Sequence, residues 1–422
     1  MSAASTHDKS GASAADKSYP SAWSYRTIRE APPSGPRKNS PWSFSTHHIA
    51  AAVVAFFLLV AGYYLGTYWL DVRQSLLLLD TRLEVIDDVQ WSEDGTRLAV
   101  WSRRPGPAAR TPVLQIWDTE DGSMLAAFPS PGEFIGAAAM SPLGDRAALC
   151  LLDSVDTRQH TLVLFDIGKR REERRIRFSA PIVARVEYSP DASIVAVLSD
   201  QILLFDTQRG VLRDSIQFPA IVYQFELAFR DASVLVMSVA SDTVTVDEYN
   251  PRSTRVLPAP RGMEAPRAAF SANAEYLVIA AGDSAYTFTT RDSRMMYRVS
   301  IPKGFTGPVS IAADGKSIAA HSPEGAVVLI HAETSATRAT YSSASGTPLD
   351  ATFSRDGETL ALLDAGTGTV DLCETTRGTR HSGYTHRESL WEDSDKQFRF
   401  SFSHDGARIA TASSKVRIWP AR

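Results

Sequence analysis

The stretch Trp91–Trp101, with the sequence WSEDGTRLAVW, sets the pattern of the chain. It opens with an aromatic residue, Ser, one further residue and Asp-Gly, and it ends in a short apolar run. Seven later segments repeat the opening or a relative of it: Met140–Gly144, Tyr188–Ala192, Ala228–Ala232, Phe270–Ala274, Ile311–Gly315, Phe353–Gly357 and Phe402–Gly406. The Ser position falls at 92, 141, 189, 229, 271, 312, 354 and 403, in steps of 49, 48, 40, 42, 41, 42 and 49 residues. A period near 40 with short β-rich segments predicts an all-β propeller with one blade per copy.

Each copy carries further strand signals after its turn. In the first copy the apolar runs Arg97–Trp101, Val113–Asp118 and Met124–Phe128 are rich in β-branched, aliphatic and aromatic residues, as half-buried strands require. The Asp-Gly pair supplies a residue that tolerates positive φ in a tight hairpin. The runs therefore predict four strands per blade, named a to d from the centre outward.

The two ends of the repeat region complement each other. The last copy stops at Val416–Trp419, its third strand, whereas the first copy is preceded by a spare apolar strand, Leu76–Asp80. Pairing these two segments would close the ring and remove an exposed sheet edge. Eight copies and a spare strand favour eight blades, with seven blades as the alternative.

The repeats resemble the WD-repeat family over roughly Leu76 to Arg422. Trp117-Asp118 matches the dipeptide that names the family, and Ile418-Trp419 ends the last repeat in a similar way. No copy carries the Gly-His dipeptide that opens a typical WD repeat, so the family's buried His-Ser-Asp-Trp network is not expected here. The turn is also similar to the Ser-Pro-Asp-Gly turn of TolB-type propellers. The repeats are therefore described as WD-like.

An uncharged segment precedes the repeats. Ile49–Leu70 contains no charged residue, and as a helix it would measure roughly 33 Å, enough for a ~30 Å hydrocarbon core. Its length and the 48 residues before it favour a retained single-pass anchor over a cleaved signal peptide. Arg and Lys residues are more numerous before the segment than after it, which predicts a cytoplasmic N-terminus and an extracytoplasmic propeller.

Three regions follow from this pattern. Residues 1–48 form an N-terminal tail that is rich in Ser, Ala and Pro and is expected to be disordered, residues 49–70 form the transmembrane helix, and residues 71–422 form the propeller. The formal net charge of −4 offers no case for binding nucleic acid. Cys150 and Cys373 lie on strands of different blades and are expected to be buried free thiols.

No motif for catalysis, a cofactor or a metal stands out, and the chain is predicted not to be an enzyme. His381 and His386 lack an evident third ligand. The acidic run Glu392–Asp395 lacks the spacing and glycine of a calcium loop, and a solvated turn is favoured. The mixed-sign run Lys169–Arg175 is typical of an exposed hairpin tip.

Other propeller proteins share parts of this layout. Dipeptidyl-peptidase-type enzymes are similar in having a short tail, one membrane span and an eight-bladed propeller, but their activity resides in a hydrolase domain that is not expected here. Quinoprotein-type propellers also have eight blades, and this chain lacks their tryptophan repetition. The first hypothesis is therefore a non-catalytic interaction scaffold. The alternative is an extracytoplasmic enzyme or a cofactor-binding propeller, quinoprotein-like or TolB-like, which would need convergent polar side chains at the central channel, and these are not evident in the sequence.

Three long segments predict where a protein partner binds. Ser102–Pro112, Asp153–His160 and Arg387–Gln397 account for the three longest repeat steps. All three fall on the face that carries the b–c and d–a loops, in blades 1, 2 and 8, whereas the a–b face is expected to tend toward the membrane. Long loops grouped on a rigid scaffold often bind partners, although neutral drift in loop length is an equal alternative. The candidate partner-binding residues, chosen for the frequency of Arg and Trp in interfaces, are Arg103, Arg104, Arg110, Trp391, Glu392 and Asp393.

Overall fold

The structure is a computed structural model, and it describes residues 46–422 apart from 84, 104–112, 129–133, 153–155, 157, 218–223, 231–232, 240–243, 250–252, 258–266, 306, 347–348 and 387–397. The chain divides into two compact units, Met1–Leu59 and Val60–Arg422. In the first, the described part is the beginning of helix α1, which spans Thr46–Gln74. The second contains the rest of α1 and a ring of eight four-stranded antiparallel sheets. The predicted disordered tail falls almost entirely outside the described residues.

The strands follow the repeat in chain order. After β1 (Leu77–Leu79), the first four blades are β2–β5 (Asp88–Trp91, Arg97–Trp101, Leu114–Asp118, Met124–Phe128), β6–β9 (Phe134–Met140, Arg146–Leu152, Gln159–Asp166, Arg171–Ser179), β10–β13 (Arg185–Tyr188, Ile194–Leu198, Gln201–Asp206, Val211–Gln217) and β14–β17 (Gln224–Arg230, Ser233–Val239, Val244–Tyr249, Ser253–Leu257). Blades 5 to 7 are β18–β21 (Arg267–Phe270, Tyr276–Ala281, Ser284–Thr289, Met295–Ser300), β22–β25 (Val309–Ile311, Ser317–His321, Val327–His331, Thr337–Tyr341) and β26–β29 (Leu349–Phe353, Thr359–Asp364, Thr369–Glu374, Arg380–Thr385). Blade 8 holds β30–β32 (Arg399–Phe402, Arg408–Ala412, Val416–Pro420).

The ring closes between the two ends of the repeat region. β1 is the outermost strand of blade 8 and pairs antiparallel with β32, with Leu77 opposite Ile418 and Leu79 opposite Val416. The prediction of eight blades with a borrowed fourth strand is therefore confirmed. Leu77 lies at the end of β32 that leads to the a–b face, so the chain enters the propeller from that face.

Burial follows the position of each strand within its blade. The second and third strands are almost wholly buried, as in β11 and β27, because blades pack against them on both sides. The inner strands β2, β10 and β18 alternate between exposed and buried positions, and the outer strand β9 is mostly exposed. Apolar clusters join neighbouring blades, and the inner strands surround a central channel.

The repeated Ser-x-Asp motif builds the turn between the first two strands. Ser92 Oγ donates to Asp94 Oδ1 (2.6 Å) and accepts from the Arg97 N–H (2.9 Å), which ties both strand ends to one hydroxyl. The same pair of bonds recurs at Ser189, Ser354 and Ser403. The fourth copy differs, since Phe229 stands at the Ser position and β14 continues to Arg230. The motif therefore stabilises the a–b turn and places no constraint on the b–c and d–a loops of the opposite face.

Helix α1 occupies the region where a transmembrane segment was predicted. Within the part of the chain that the structure describes, no helix has both the length and the apolar character required to cross a bilayer. The structure therefore does not support the predicted transmembrane helix Ile49–Leu70.

Blade 8 contains a buried hydrogen-bond chain that the sequence did not predict. Trp419 Nε1 donates to Thr411 Oγ1 (2.9 Å), and Thr411 Oγ1 lies 2.6 Å from His386 Nδ1. A hydroxyl that accepts from the indole has its own proton free for the imidazole nitrogen. A His, a Thr and a Trp thus form part of a WD-type arrangement in this blade, although no Gly precedes the His.

Candidate functional site: the charged central channel

The inner strands aim alternate side chains into the channel. In the exposed-buried pattern of β2 and β10, the first and third residues are open to the channel, because side chains alternate along a strand. A cavity of about 490 Å³ is lined by residues from all eight inner strands or their turns. The propeller therefore offers a polar space at its axis that is open to solvent.

Charged groups from three blades meet in this space. Arg185 and Glu187 project from β10 and form an ion pair, and Glu226 projects from β14. Asp88 of β2 acts electrostatically on both Arg185 and Glu187. Three carboxylates thus face one central guanidinium, although Arg399 also attracts Asp88.

Enclosure by protein changes the ionisation of these carboxylates. Burial raises the pKa of Glu226 to about 7; the Phe270 N–H (3.2 Å) and Arg185 oppose the rise, and Glu187 adds to it. Burial also raises the pKa of Glu187 and of Asp88, against the attraction of Arg185. Asp88 and Arg185 are exposed to solvent, so the effect is weaker than in a dry core. Glu226 can therefore exchange a proton near neutral pH.

A second polar group lies at the a–b end of the channel. Glu93, Arg355 and His404 each follow the turn Ser of their blade, in blades 1, 7 and 8. Arg355 Nη1 lies 2.8 Å from His404 Nδ1, and His404 Nε2 lies 3.5 Å from Glu93 Oε1. Burial lowers the pKa of His404, and the nearby Arg355 lowers it further, so this imidazole is neutral and accepts from the guanidinium.

The predicted partner-binding residues fall mostly outside the described residues. This is true of Arg104, Arg110, Trp391, Glu392 and Asp393, and of most of the loops that carry them. Arg103 is described, and its side chain is 57% exposed. Its backbone N–H donates to Asp87 (2.6 Å), and its guanidinium lies 5.9 Å from the Trp101 ring. The strand topology puts the ends of all three loops on the b–c/d–a side, and partner binding there remains a prediction.

The histidines and cysteines have structural surroundings. Among the described residues, no group of three or more His, Cys, Asp or Glu side chains is arranged to hold a metal ion. His386 is buried in the chain with Thr411 and Trp419, whereas His381 is exposed and contacts Ser382. Cys150 on β7 and Cys373 on β28 are buried free thiols, and burial raises the pKa of both.

The channel charges are what sequence reasoning missed. The expectation that convergent polar side chains were absent is wrong, because Arg185, Glu187 and Glu226 converge on the axis. A signal was present: Asp88, Arg185 and Glu187 stand two or four residues before a turn Ser, on the open positions of an inner strand. Strand alternation alone could have identified them.

Comparisons with known proteins identify the fold. No family model matches the chain, and no curated protein matches it in sequence. The chain is similar to the crystal structure of the C-terminal WD40 domain of Sif2, with a TM-score of 0.59, 13% identity, and coverage of 82% of this chain and 97% of that one. The β-propeller domain of Myceliophteria_thermophila Cps50 (Swd1) matches with a TM-score of 0.48 and 14% identity, covering 68% of this chain and 96% of that one. The first similarity shows a WD40-type propeller fold.

Proposed function

We propose that this chain is a non-catalytic scaffold that holds a protein partner on the b–c/d–a face of its propeller. The observation that carries the proposal is the closed ring of eight blades, since a ring without an open seam is a rigid platform for loops. WD40-type propellers generally serve as interaction scaffolds, which adds support at the level of the fold. The three long segments belong to blades 8, 1 and 2, which are consecutive blades across the closure of the ring.

Loop shortening tests the scaffold. Replacing 103–111, 153–157 and 387–396 with tight turns in the full chain should leave the thermal midpoint within a few degrees of the parent, because none of the described strands includes these residues. Partner capture is measured by photo-crosslinking from position 103 in the parent and from Ser102 in the shortened chain. The crosslinks that the parent forms should be lost in the shortened chain. A control chain shortened instead at 258–266 should keep its crosslinks. Equal crosslinking in both shortened chains would place the partner elsewhere.

We further propose that α1 attaches the chain to a membrane, with the N-terminus in the cytoplasm and the propeller outside it. The support is the uncharged sequence 49–70 together with the exposure of its apolar side chains. Eight large apolar side chains between Val53 and Leu65 are 48–74% exposed in α1. Apolar surface of this extent requires a cover, and lipid is the cover proposed here.

Membrane attachment has its own test. The full chain should stay with membranes after alkaline carbonate extraction, whereas a variant with Phe56→Lys, Leu59→Lys and Val60→Lys should be released. Protease added to intact cells should digest the propeller if it is extracytoplasmic. Release of the parent by carbonate would refute the attachment, and digestion only after cell opening would reverse the orientation.

The alternative function is a small-molecule or cofactor site in the central channel. The convergence of Arg185, Glu187 and Glu226 favours it, because ligand sites are concave and carry a few convergent polar groups. Absorbance and elemental analysis of the purified full chain test this alternative. A stoichiometric chromophore or metal that is lost in Arg185→Gln would support it over the scaffold.

A further inference from the structure

A cleft opens from the channel between the inner strands of blades 7 and 8. In β2, β10 and β18 the residue three places before the turn Ser is buried against the preceding blade, as at Val89 and Val186. The same place in β26 and β30 holds Ala351 and Phe400, and both are partly exposed. Ala351 and Phe400 both line the space between β26 and β30, which amounts to about 500 Å³.

The walls of the cleft are aromatic. Phe353 comes from β26, and Phe400 and Phe402 come from β30; all three line the space. Phe400 and Phe402 keep part of their surface accessible, unlike the core residues of the other seams. Aromatic rings that line a space of this size favour a flat apolar group, which they contact edge-to-face or in offset stacks.

One end of the cleft carries a positive charge. Arg355 lies there beside His404, which is neutral and only accepts from it. Among the described residues, no carboxylate oxygen lies within ion-pair distance of the Arg355 guanidinium, and the nearby Glu93 contacts His404 instead. A guanidinium stays protonated in a protein and binds a carboxylate through two parallel hydrogen bonds.

The other end carries a negative charge. Asp350 lies at the start of the same strand and also lines the cleft. Its carboxylate accepts from the Ala351 N–H (2.9 Å) and would repel an acidic group placed beside it. The polarity of the cleft therefore sets a direction for an elongated ligand, with the acid toward Arg355.

We propose that this cleft binds a small aromatic carboxylic acid, with its ring among Phe353, Phe400 and Phe402 and its carboxylate on Arg355. The site goes beyond the scaffold function and does not depend on it. It also does not depend on the charged cluster of Arg185, Glu187 and Glu226, which lies on blades 3 and 4.

A matched ligand series tests the chemistry. The probes are 3-phenylpropanoate, the neutral 3-phenylpropanamide and the cationic 3-phenylpropylamine, titrated into the purified full chain by calorimetry and saturation-transfer NMR. The acid should show saturable binding at least ~tenfold tighter than the amide, because only the acid forms a charge-assisted pair. No saturable binding of the acid, or equal binding of acid and amide, would overturn the proposal.

Three variants test where the probe binds. Arg355→Gln should weaken the binding of 3-phenylpropanoate at least ~tenfold. Ala351→Leu should abolish the binding, because it puts a larger side chain at a position that lines the cleft while Arg355 remains. Arg377→Gln, at a side chain that is 77% exposed in the outer turn of the same blade, should bind like the parent. The thermal midpoint of each variant checks that it is folded. If Arg355→Gln unfolds, Ala351→Leu alone tests whether the probe binds in the cleft. Undiminished binding to folded Ala351→Leu would place the probe elsewhere.

Discussion

At the scale of single residues, the turn between the first two strands of a blade requires a left-handed backbone. Gly95, Gly144, Gly315, Gly357 and Gly406 have φ between +67° and +76° at this place. Two blades put alanine there: Ala192 has a φ of +56° and Ala274 has a φ of +55°. A residue with a Cβ pays roughly 1–2 kcal/mol for this conformation, which glycine avoids.

Ala192→Gly should therefore stabilise the propeller. The relief of strain exceeds the entropy that glycine loses on folding, and a net gain of ~0.5 kcal/mol in the free energy of unfolding is expected. Urea denaturation of the full chain measures it. Ala196→Gly, in the buried strand β11, should instead lose ~1 kcal/mol. Destabilisation of the same size at both positions would contradict this explanation.

A threonine after the third strand supports the same turn. Thr207 Oγ1 donates to Ala192 O (2.8 Å), and Thr119, Thr290 and Thr375 make the equivalent bond in their blades. The threonine anchors the carbonyl of the left-handed residue, so the turn and the third strand hold each other. This pairing was missed in the sequence, although the third strand ends in Asp and is followed directly by Thr in blades 1 and 3.

At the scale of elements, closure depends on a strand of three residues. Leu79 is 1% exposed and packs into the apolar cluster between blades 8 and 1, whereas its neighbour Leu78 is 41% exposed. The two residues share a strand and differ only in the face they present. A comparison of substitutions at the two positions therefore separates the contribution of core packing to stability from the contribution of strand pairing.

Leu79→Ala should cost ~2–4 kcal/mol of unfolding free energy, as expected for a buried leucine. Leu78→Ala should cost less than ~0.5 kcal/mol, because its side chain is already in solvent. Chemical denaturation of the two full-length variants under one set of conditions compares them. Similar losses at both positions would show that the outer strand closes the ring without packing into it.

At the scale of the whole molecule, the ring brings Glu226 among charges from other blades. Its pKa of about 7 is above its unfolded value near 4.5, so the folded chain holds this proton more tightly. The protonated Glu226 carboxyl makes its whole contribution to the stability of the fold below about pH 4.5, and this contribution is lost as the pH rises through about 7. The difference corresponds to at most ~3 kcal/mol, and water in the channel reduces it to an expected ~1–2 kcal/mol.

Glu226→Gln should remove this dependence. As the pH rises from 5 to 8, the free energy of unfolding of the parent should fall by ~1–2 kcal/mol relative to that of the variant, because only the parent must ionise a buried carboxyl. Thermal or urea unfolding of both proteins at the two pH values measures the difference. A matched substitution at an exposed carboxyl, Glu358→Gln, should run parallel to the parent. Parallel curves for parent and Glu226→Gln would mean that the channel does not raise this pKa.

Much of the architecture could be predicted from local chemistry. The Ser-x-Asp turn, the apolar strands and the spare segment before β1 each have a local physical signature, and together they predicted eight blades and their closure. The hydrogen-bond chain through His386, Thr411 and Trp419 could not be predicted in this way, because its members lie in different strands and loops.

The sequence by itself determined the repeat, the strands and the pairing of the two ends, since turn geometry and side-chain alternation act over a few residues. Only the tertiary structure decided which charges meet. Arg185 and Glu226 are 41 positions apart in the chain, and Arg355 and His404 are 49 apart, so no local pattern relates them. The ring places them side by side in the central channel, where protein partly shields them from solvent. Their ionisation, and the cleft between β26 and β30, are consequences of that arrangement.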